Sequence, residues 1–505
     1  MNKRLCYPPL LGLLLSACSG SPAVVDSGVV VPTGWQYAER DATRALNTQW
    51  WTQFGSPQLD RLIEQARRDS FDVASATARV RQAQASAVIA GAPLLPEVKF
   101  DLSATREKLL RGSGNVDLDA TEDNNTLNSY GANLTASYEL DFWGARAAAR
   151  DSALHTLRAS EFDRATVELT LVSNVADRYA QTLSARERQR IAQLNLANAQ
   201  DVLAVVQTRY DAGSATALEL AQQKSLVASQ QRQLPLIQQQ AEESQITLAA
   251  LLGQPVQAVA LGHEPFQALK WPGIGPGVPS DLLRRRPDIA QAEAQLAAAQ
   301  ADVTVARAAL LPTVTLGLTV GSGSYQAPDI LRSPFYTLTS GLVAPIFNNG
   351  RLSAERDKAT ARQEELVQSY RATIINGFAD VEKALSSITR LDQQRRWQSE
   401  ELEEAQRAFQ IAQSRYEAGA EDLLTVLETQ RTLYAAQDSN VQLRLQRLQA
   451  SIALYKALGA AGPHLEPNCS AQGKCRHVKI PFPTPRIFFL LHWHLPVLGK
   501  KAVHV

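Results

Sequence analysis

The chain has 505 residues, with 51 lysines and arginines against 50 aspartates and glutamates. That length leaves room for several domains or one large repeated one, and the near-zero net charge lacks the basic surplus that a nucleic-acid partner usually requires. The four cysteines, Cys6, Cys18, Cys469 and Cys475, lie near the two ends. The body between them therefore holds neither a disulfide framework nor a Cys-ligated metal site.

Residues 1–17 read as a secretory signal peptide. Lys3 and Arg4 form a positive start, and Leu10 to Leu15 form an apolar run too short to span a bilayer. Leu15-Ser16-Ala17-Cys18 resembles a bacterial lipobox. That resemblance implies cleavage before Cys18, lipidation of Cys18 and a lipidated N-terminal segment over 18–50. Ser19, standing where Asp would retain the protein elsewhere, implies sorting to the outer membrane. The alternative is an ordinary signal peptide with a chance cysteine at its end. Several acyl chains make a stable anchor, whereas one gives marginal binding.

The body repeats itself. Leu94-Leu95-Pro96 recurs as Leu310-Leu311-Pro312, Asp141-Phe142-Trp143-Gly144 is echoed by Ile346-Phe347-Asn348-Asn349-Gly350, and Arg209-Tyr210-Asp211-Ala212-Gly213 recurs as Arg415-Tyr416-Glu417-Ala418-Gly419. The pairs keep the same order. Repeat 1 is placed over 51–252, with helices about 58–89, 146–210 and 217–252. Repeat 2 is placed over 281–460, with helices about 290–310, 351–416 and 422–458. A Pro/Gly-rich linker or equatorial segment, 253–280, separates them.

Two strands fall in each repeat, about 96–107 and 128–142, then 312–321 and 335–347. Val98, Phe100 and Leu102 alternate with Lys99, Asp101 and Ser103, and Leu134, Ala136, Tyr138 and Leu140 alternate with Thr135, Ser137 and Glu139. Val314, Leu316, Leu318 and Val320 alternate with Thr315, Gly317 and Thr319, and the last strand sets Tyr336, Leu338 and Leu342 against Thr337, Thr339 and Gly341. Period-2 alternation makes one face apolar and one polar, and the lengths suit a tilted strand crossing a bilayer. The alternative is a soluble sandwich with one buried face. Four strands cannot close a membrane barrel, and an open edge in lipid leaves unpaired backbone groups, so the membrane reading requires several subunits.

From Arg146 to Tyr210 there is no proline, and the same holds from Arg351 to Tyr416. At 1.5 Å per residue each helix would be on the order of 95 Å long. Alanine runs such as 147–149 and 297–299 allow close helix approach, and Pro235 predicts a kink in the 217–252 helix. The helices alone would also fit a soluble coiled-coil protein without a pore.

Leu282-Leu283-Arg284-Arg285-Arg286-Pro287-Asp288-Ile289, the two Arg-Tyr-x-Ala-Gly turns and the Leu-Leu-Pro strand starts resemble outer-membrane efflux factors of the TolC class, over roughly residues 50–460. With the lipobox, the resemblance is to NodT/OprM-type lipoproteins of resistance–nodulation–division pumps. It implies an α+β membrane protein. Its homotrimer would form a 12-stranded β-barrel, four strands per subunit, continued by a periplasmic α-helical barrel of antiparallel coiled coils and a mixed equatorial region. The implied function is a passive multidrug exit duct in the outer membrane, lipid-anchored and opened by a periplasmic adaptor and an inner-membrane pump. A duct for type I protein secretion shares this architecture and stays open as the alternative.

Locally, Pro287 suits a first helical turn and Asp288 the positive end of a helix dipole, so the three arginines read as structural or solvated. Gly213 and Gly419 suit left-handed helix ends. The resemblance makes Arg209, Tyr210, Gly213, Arg415, Tyr416 and Gly419 hairpin tips that meet the adaptor. It also assigns Leu424, Glu428 and Arg431 to a periplasmic aperture. Their i, i+4, i+7 spacing shares one helix face, and charged rings of this kind bias which ions pass. The alternative for Glu428 and Arg431 is an ordinary surface pair. The tail over 461–505 departs from the family. Its Cys469, Cys475, His477, His492 and His494 match no familiar zinc spacing, leaving a disulfide, a disordered tail or an altered reading frame. His155 and His263 are isolated, and no nucleotide-binding glycine loop appears. No enzyme, cofactor or metal is expected.

Overall fold

The computed structural model describes residues 28–38, 49–112, 125–273 and 275–460. The expected signal peptide, Cys18 with most of its lipidated segment, and the whole tail with Cys469, Cys475, His477, His492 and His494 lie outside the described residues.

The chain runs twice through one order of elements. The first round is α1 (Pro57–Asp69), α2 (Phe71–Gly91), β1 (Glu97–Lys108), β2 (Thr126–Leu140), α3 (Ala145–Asp211) and α4 (Ala217–Leu251). The second is α5 (Pro279–Arg285), α6 (Pro287–Ala308), β3 (Thr313–Ser324), β4 (Pro334–Val343), α7 (Arg351–Glu417) and α8 (Leu423–Ala457). α3 and α7 have 67 residues each, and α4 and α8 have 35 each. At 1.5 Å per residue the longer pair runs about 100 Å. Pro235 lies inside α4, which continues through it.

The single helix expected over 58–89 is two helices, broken at Ser70. Ser70 is extended, with φ −65° and ψ 127°. Its N–H donates to the Ala66 carbonyl at 2.9 Å, and its own carbonyl accepts from Ala74 N–H at 3.0 Å. Arg286 makes the same joint between α5 and α6, so the helix expected from 290 begins at Pro287. There the cause is local, because proline drives the preceding residue out of the helical region. Both joints are clamped from outside. Gly253, φ +69°, follows α4 so closely on Asp69 that a Cβ would lie 2.9 Å from its carbonyl oxygen; Gly459, φ +70°, stands likewise 2.7 Å from the Arg285 carbonyl oxygen. Only glycine meets both demands.

The strands form one antiparallel sheet in the order β1-β2-β3-β4. β2 ends at Leu140, short of 142, because the Asp141 carboxylate turns to accept from the N–H groups of Arg146 and Ala147 at 3.0 and 2.9 Å. Register carries the alternation across the sheet. Phe100, Leu134, Val320 and Tyr336 stand in one row, and Val98, Ala136, Leu318 and Leu338 in the next. The row between them, Lys99, Thr135, Thr319 and Thr337, points to the other face. One face is thus apolar from edge to edge, yet Phe100, Leu338 and Leu342 are 68%, 75% and 70% exposed. Among the described residues the outer edges of β1 and β4 have no strand partner. No helix among the described residues is long and apolar enough to cross a membrane.

The main core lies where the joints meet the long helices. Trp50 stacks on Tyr455 with ring centroids 4.8 Å apart, and both are buried with Tyr179, Leu248, Leu252 and Phe266. The linker is held there by Trp271. Arg395 and Arg444 both stack over its ring, at 3.9 and 4.1 Å, and Arg444 Nη2 donates to the carbonyls of Gln267 and Leu269. Residues 28–38 form a strap along α7. Trp35 meets Phe378 edge to face, and the Gln36 N–H donates to Glu382 at 2.7 Å.

Candidate functional site

The candidate site is the end of the long helices farthest along the chain from the sheet, where α3 turns into α4 and α7 into α8. At the first tip Gly213 has φ +74° and lets the Ser214 N–H donate back to the Arg209 carbonyl at 2.8 Å; at the second, Gly419 at φ +76° does the same for Ala420 and Arg415. The next helix is capped at once in both turns. Thr216 and Glu219 form a reciprocal capping box at the start of α4. Asp422 accepts the Thr425 N–H at 2.9 Å at the start of α8, and that hydrogen bond holds its carboxyl below the usual range.

The two tips touch. Arg209 Nη1 donates to the Tyr416 carbonyl at 2.7 Å, and its guanidinium lies 4.6 Å from the Tyr416 ring centre. Burial raises the Tyr416 phenol pKa despite this cation. The reverse contact is not made. Arg415 turns back to Glu421 at 3.1 Å and to the Ala420 carbonyl, and Tyr210 is exposed. The six expected tip residues therefore divide into a joined pair, Arg209 and Tyr416, two turn glycines, and Tyr210 and Arg415, which do not meet.

Leu424, Glu428 and Arg431 lie on one exposed face of α8. The opposite face, Leu423, Val426, Leu427 and Leu433, is packed against Val202, Val206, Phe409 and Tyr416. That packing fixes the direction in which the exposed face points. Among the described residues Glu428 and Arg431 form no ion pair with each other. Behind them Tyr434 donates to the Asn195 carbonyl of α3 at 2.9 Å, tying α8 to its neighbour.

The arginine run before α6 is structural. Arg286 grips Asp288 at 2.6 Å and Asp380 of α7 at 3.1 Å, and it donates to the Ala457 carbonyl at the end of α8. Arg284 and Arg285 both reach Asp281. Among the described residues no cluster of His, Cys, Asp or Glu could hold a metal ion. The contact between Arg209 and Tyr416 and the strap along α7 went unread in the sequence. The first had a signal, Glu421 standing where the other tip has Ala215.

The family model described as outer membrane efflux protein matches residues 62–254 and 278–460. The chain is 61% identical over 448 residues to the pyoverdine export outer membrane protein OpmQ of Pseudomonas aeruginosa, covering 88% of this chain and 94% of that one. It is 58% identical to the protein of the same name from Pseudomonas putida, covering 91% and 97%. Among solved structures, it matches the outer-membrane channel OprN with a TM-score of 0.82 at 26% identity, covering 88% of this chain and 99% of that one.

Proposed function

Because the chain belongs to the outer membrane efflux protein family, we propose that three copies of it close into one export duct, with pyoverdine or a close chemical relative as cargo. The observation that carries this reading is the sheet. Four strands with an apolar face and two unpartnered edges are stable in lipid only when other subunits seal the edges. Three copies give a twelve-stranded barrel with the threonine-rich face lining the lumen. The long helices continue that barrel into the periplasm, and the tips meet a periplasmic adaptor coupled to an inner-membrane pump. The cargo assignment rests on the two relatives named for pyoverdine export.

Lipidation of Cys18 fits the strap. Gly28 lies beside Arg371, which is about 30 Å along α7 from its start at Arg351. About ten residues of chain back to Cys18 span at most roughly 33–36 Å. A chain of that length is long enough to reach the level of the sheet.

At the tips, Leu424, Glu428 and Arg431 would form an apolar, an acidic and a basic ring around the axis, and the periplasmic aperture closes there. Replacing Glu428 and Arg431 together with alanine should raise single-channel conductance in planar bilayers and alter ion selectivity. Unchanged conductance and selectivity would remove these residues from the aperture. For the cargo, expression in a Pseudomonas aeruginosa strain lacking its own pyoverdine export outer membrane protein should restore pyoverdine to the medium. Continued retention in cells that carry the protein in their outer membrane would overturn the cargo assignment.

A further inference from the structure

We infer that Tyr210 is covered by Arg415 of a second copy of the chain, which completes between subunits the clasp that Arg209 and Tyr416 make within one. The inference rests on the oligomeric reading above. Its evidence is an asymmetry between two halves that align without a gap from Ala145 and Arg351 to Leu251 and Ala457. Every position in α3 or α4 therefore has one counterpart in α7 or α8.

α3 packs on α2 and α4 of its own half and on α6 and α8 of the other. α7 packs on α5, α6 and α8 of its own half, with no comparable packing on α2 or α4. The contact between α3 and α8 is therefore a template whose counterpart, α7 against α4, has no comparable packing among the described residues of one chain. In the template Arg188 of α3 pairs with Asp438 of α8 at 2.6 Å and Gln449 of α8 donates to Asp177 of α3 at 2.7 Å; at the tip end of the same seam between the two hairpins, Arg209 of α3 clasps Tyr416 at the end of α7. Transferred to α7 and α4, the two helix pairs become Gln394 with Arg232 and Lys383 with Glu243, and the tip clasp becomes Arg415 of α7 with Tyr210 of α3.

Each transferred pair is chemically sound, and the α3 and α4 residues that would be covered stand uncovered in one chain. Tyr416 is 2% exposed and Tyr210 40%. Ile452 on the covered face of α8 is 4% exposed, and its counterpart Ile246 on α4 is 53% exposed. The vacant side of α7 opens on a groove of about 850 Å³. Lys383, Arg390 and Lys456 line it and make it basic. The face of α4 that would enter bears the exposed Glu242 and Glu243. Until a second copy arrives, Glu421 holds Arg415. The turns themselves, around Gly213 and Gly419, stay open to an adaptor.

The test uses the full chain with Cys469 and Cys475 replaced by serine. Tyr210→Cys combined with Arg415→Cys should give covalent dimers and trimers on oxidation, and neither single variant should. Arg209→Cys with Tyr416→Cys should cross-link within the chain and leave its mass unchanged. As a second measurement, Lys383→Glu should lower the temperature at which the oligomer dissociates in detergent, and adding Glu243→Lys should restore it. An intact oligomer that yields no intermolecular cross-link, or in which the charge exchange rescues nothing, overturns this docking and leaves the duct reading standing. Protein that is monomeric before any substitution overturns the duct reading and this inference with it.

Discussion

The two ends of the long helices expose their side chains for opposite reasons. At the sheet, exposed apolar side chains belong to all four strands and stand in rows that run from one edge to the other. At the tips, exposure falls on single residues, Leu424, Glu428, Arg431 and Tyr210, each held by a local turn and a packed opposite face. The sheet therefore depends on a pattern, and one apolar residue can stand in for another. The tips depend on identities, so one substitution there can change function without moving the fold. Between the two ends lies the core around Trp50, which both depend on.

The largest effect should come from that core. Trp50→Ala should cost about 3–5 kcal/mol, because a fully buried ring leaves a cavity that the helices cannot collapse around. Thermal unfolding in detergent reads it, and a loss under about 1 kcal/mol would mean the two ends are stabilised separately. On the sheet, Leu318→Arg should cost roughly 2–4 kcal/mol in a bilayer, whereas Leu318→Ile should be nearly silent. Recovery of folded protein from outer membranes measures this. Equal losses for both would break the idea that pattern governs the sheet. At the tips, Thr216→Ala should cost about 1 kcal/mol by removing a capping hydroxyl. The smallest stability effect, within about 0.5 kcal/mol, is expected for Glu428→Ala with Arg431→Ala, the pair expected to change conductance most. A large destabilisation there would make those residues structural.

The sequence was most readable where a period repeats over many residues. Alternation in 98–104 and 314–320 identified strands and their faces, and the proline-free stretches identified α3 and α7. Single joints were harder. Arg286 announces its break through Pro287, but Ser70 carries no such marker, and what clamps it is Gly253, far along the chain. Strand ends slipped for a similar reason, since Asp141 is claimed by the first turn of α3. At the candidate site, the spacing of Leu424, Glu428 and Arg431 was legible because it needs only one helix. The reach of Arg209 to Tyr416 was not, because it depends on which hairpins become neighbours. The difference between Ala215 and Glu421 hinted that the two tips have different partners.

All of this requires that one chain leave its sheet unfinished. Native mass spectrometry of the detergent-solubilised protein tests that requirement most directly. The account predicts a stable complex of three chains that falls apart only with loss of the sheet; a folded single chain that remains in solution without detergent would contradict it.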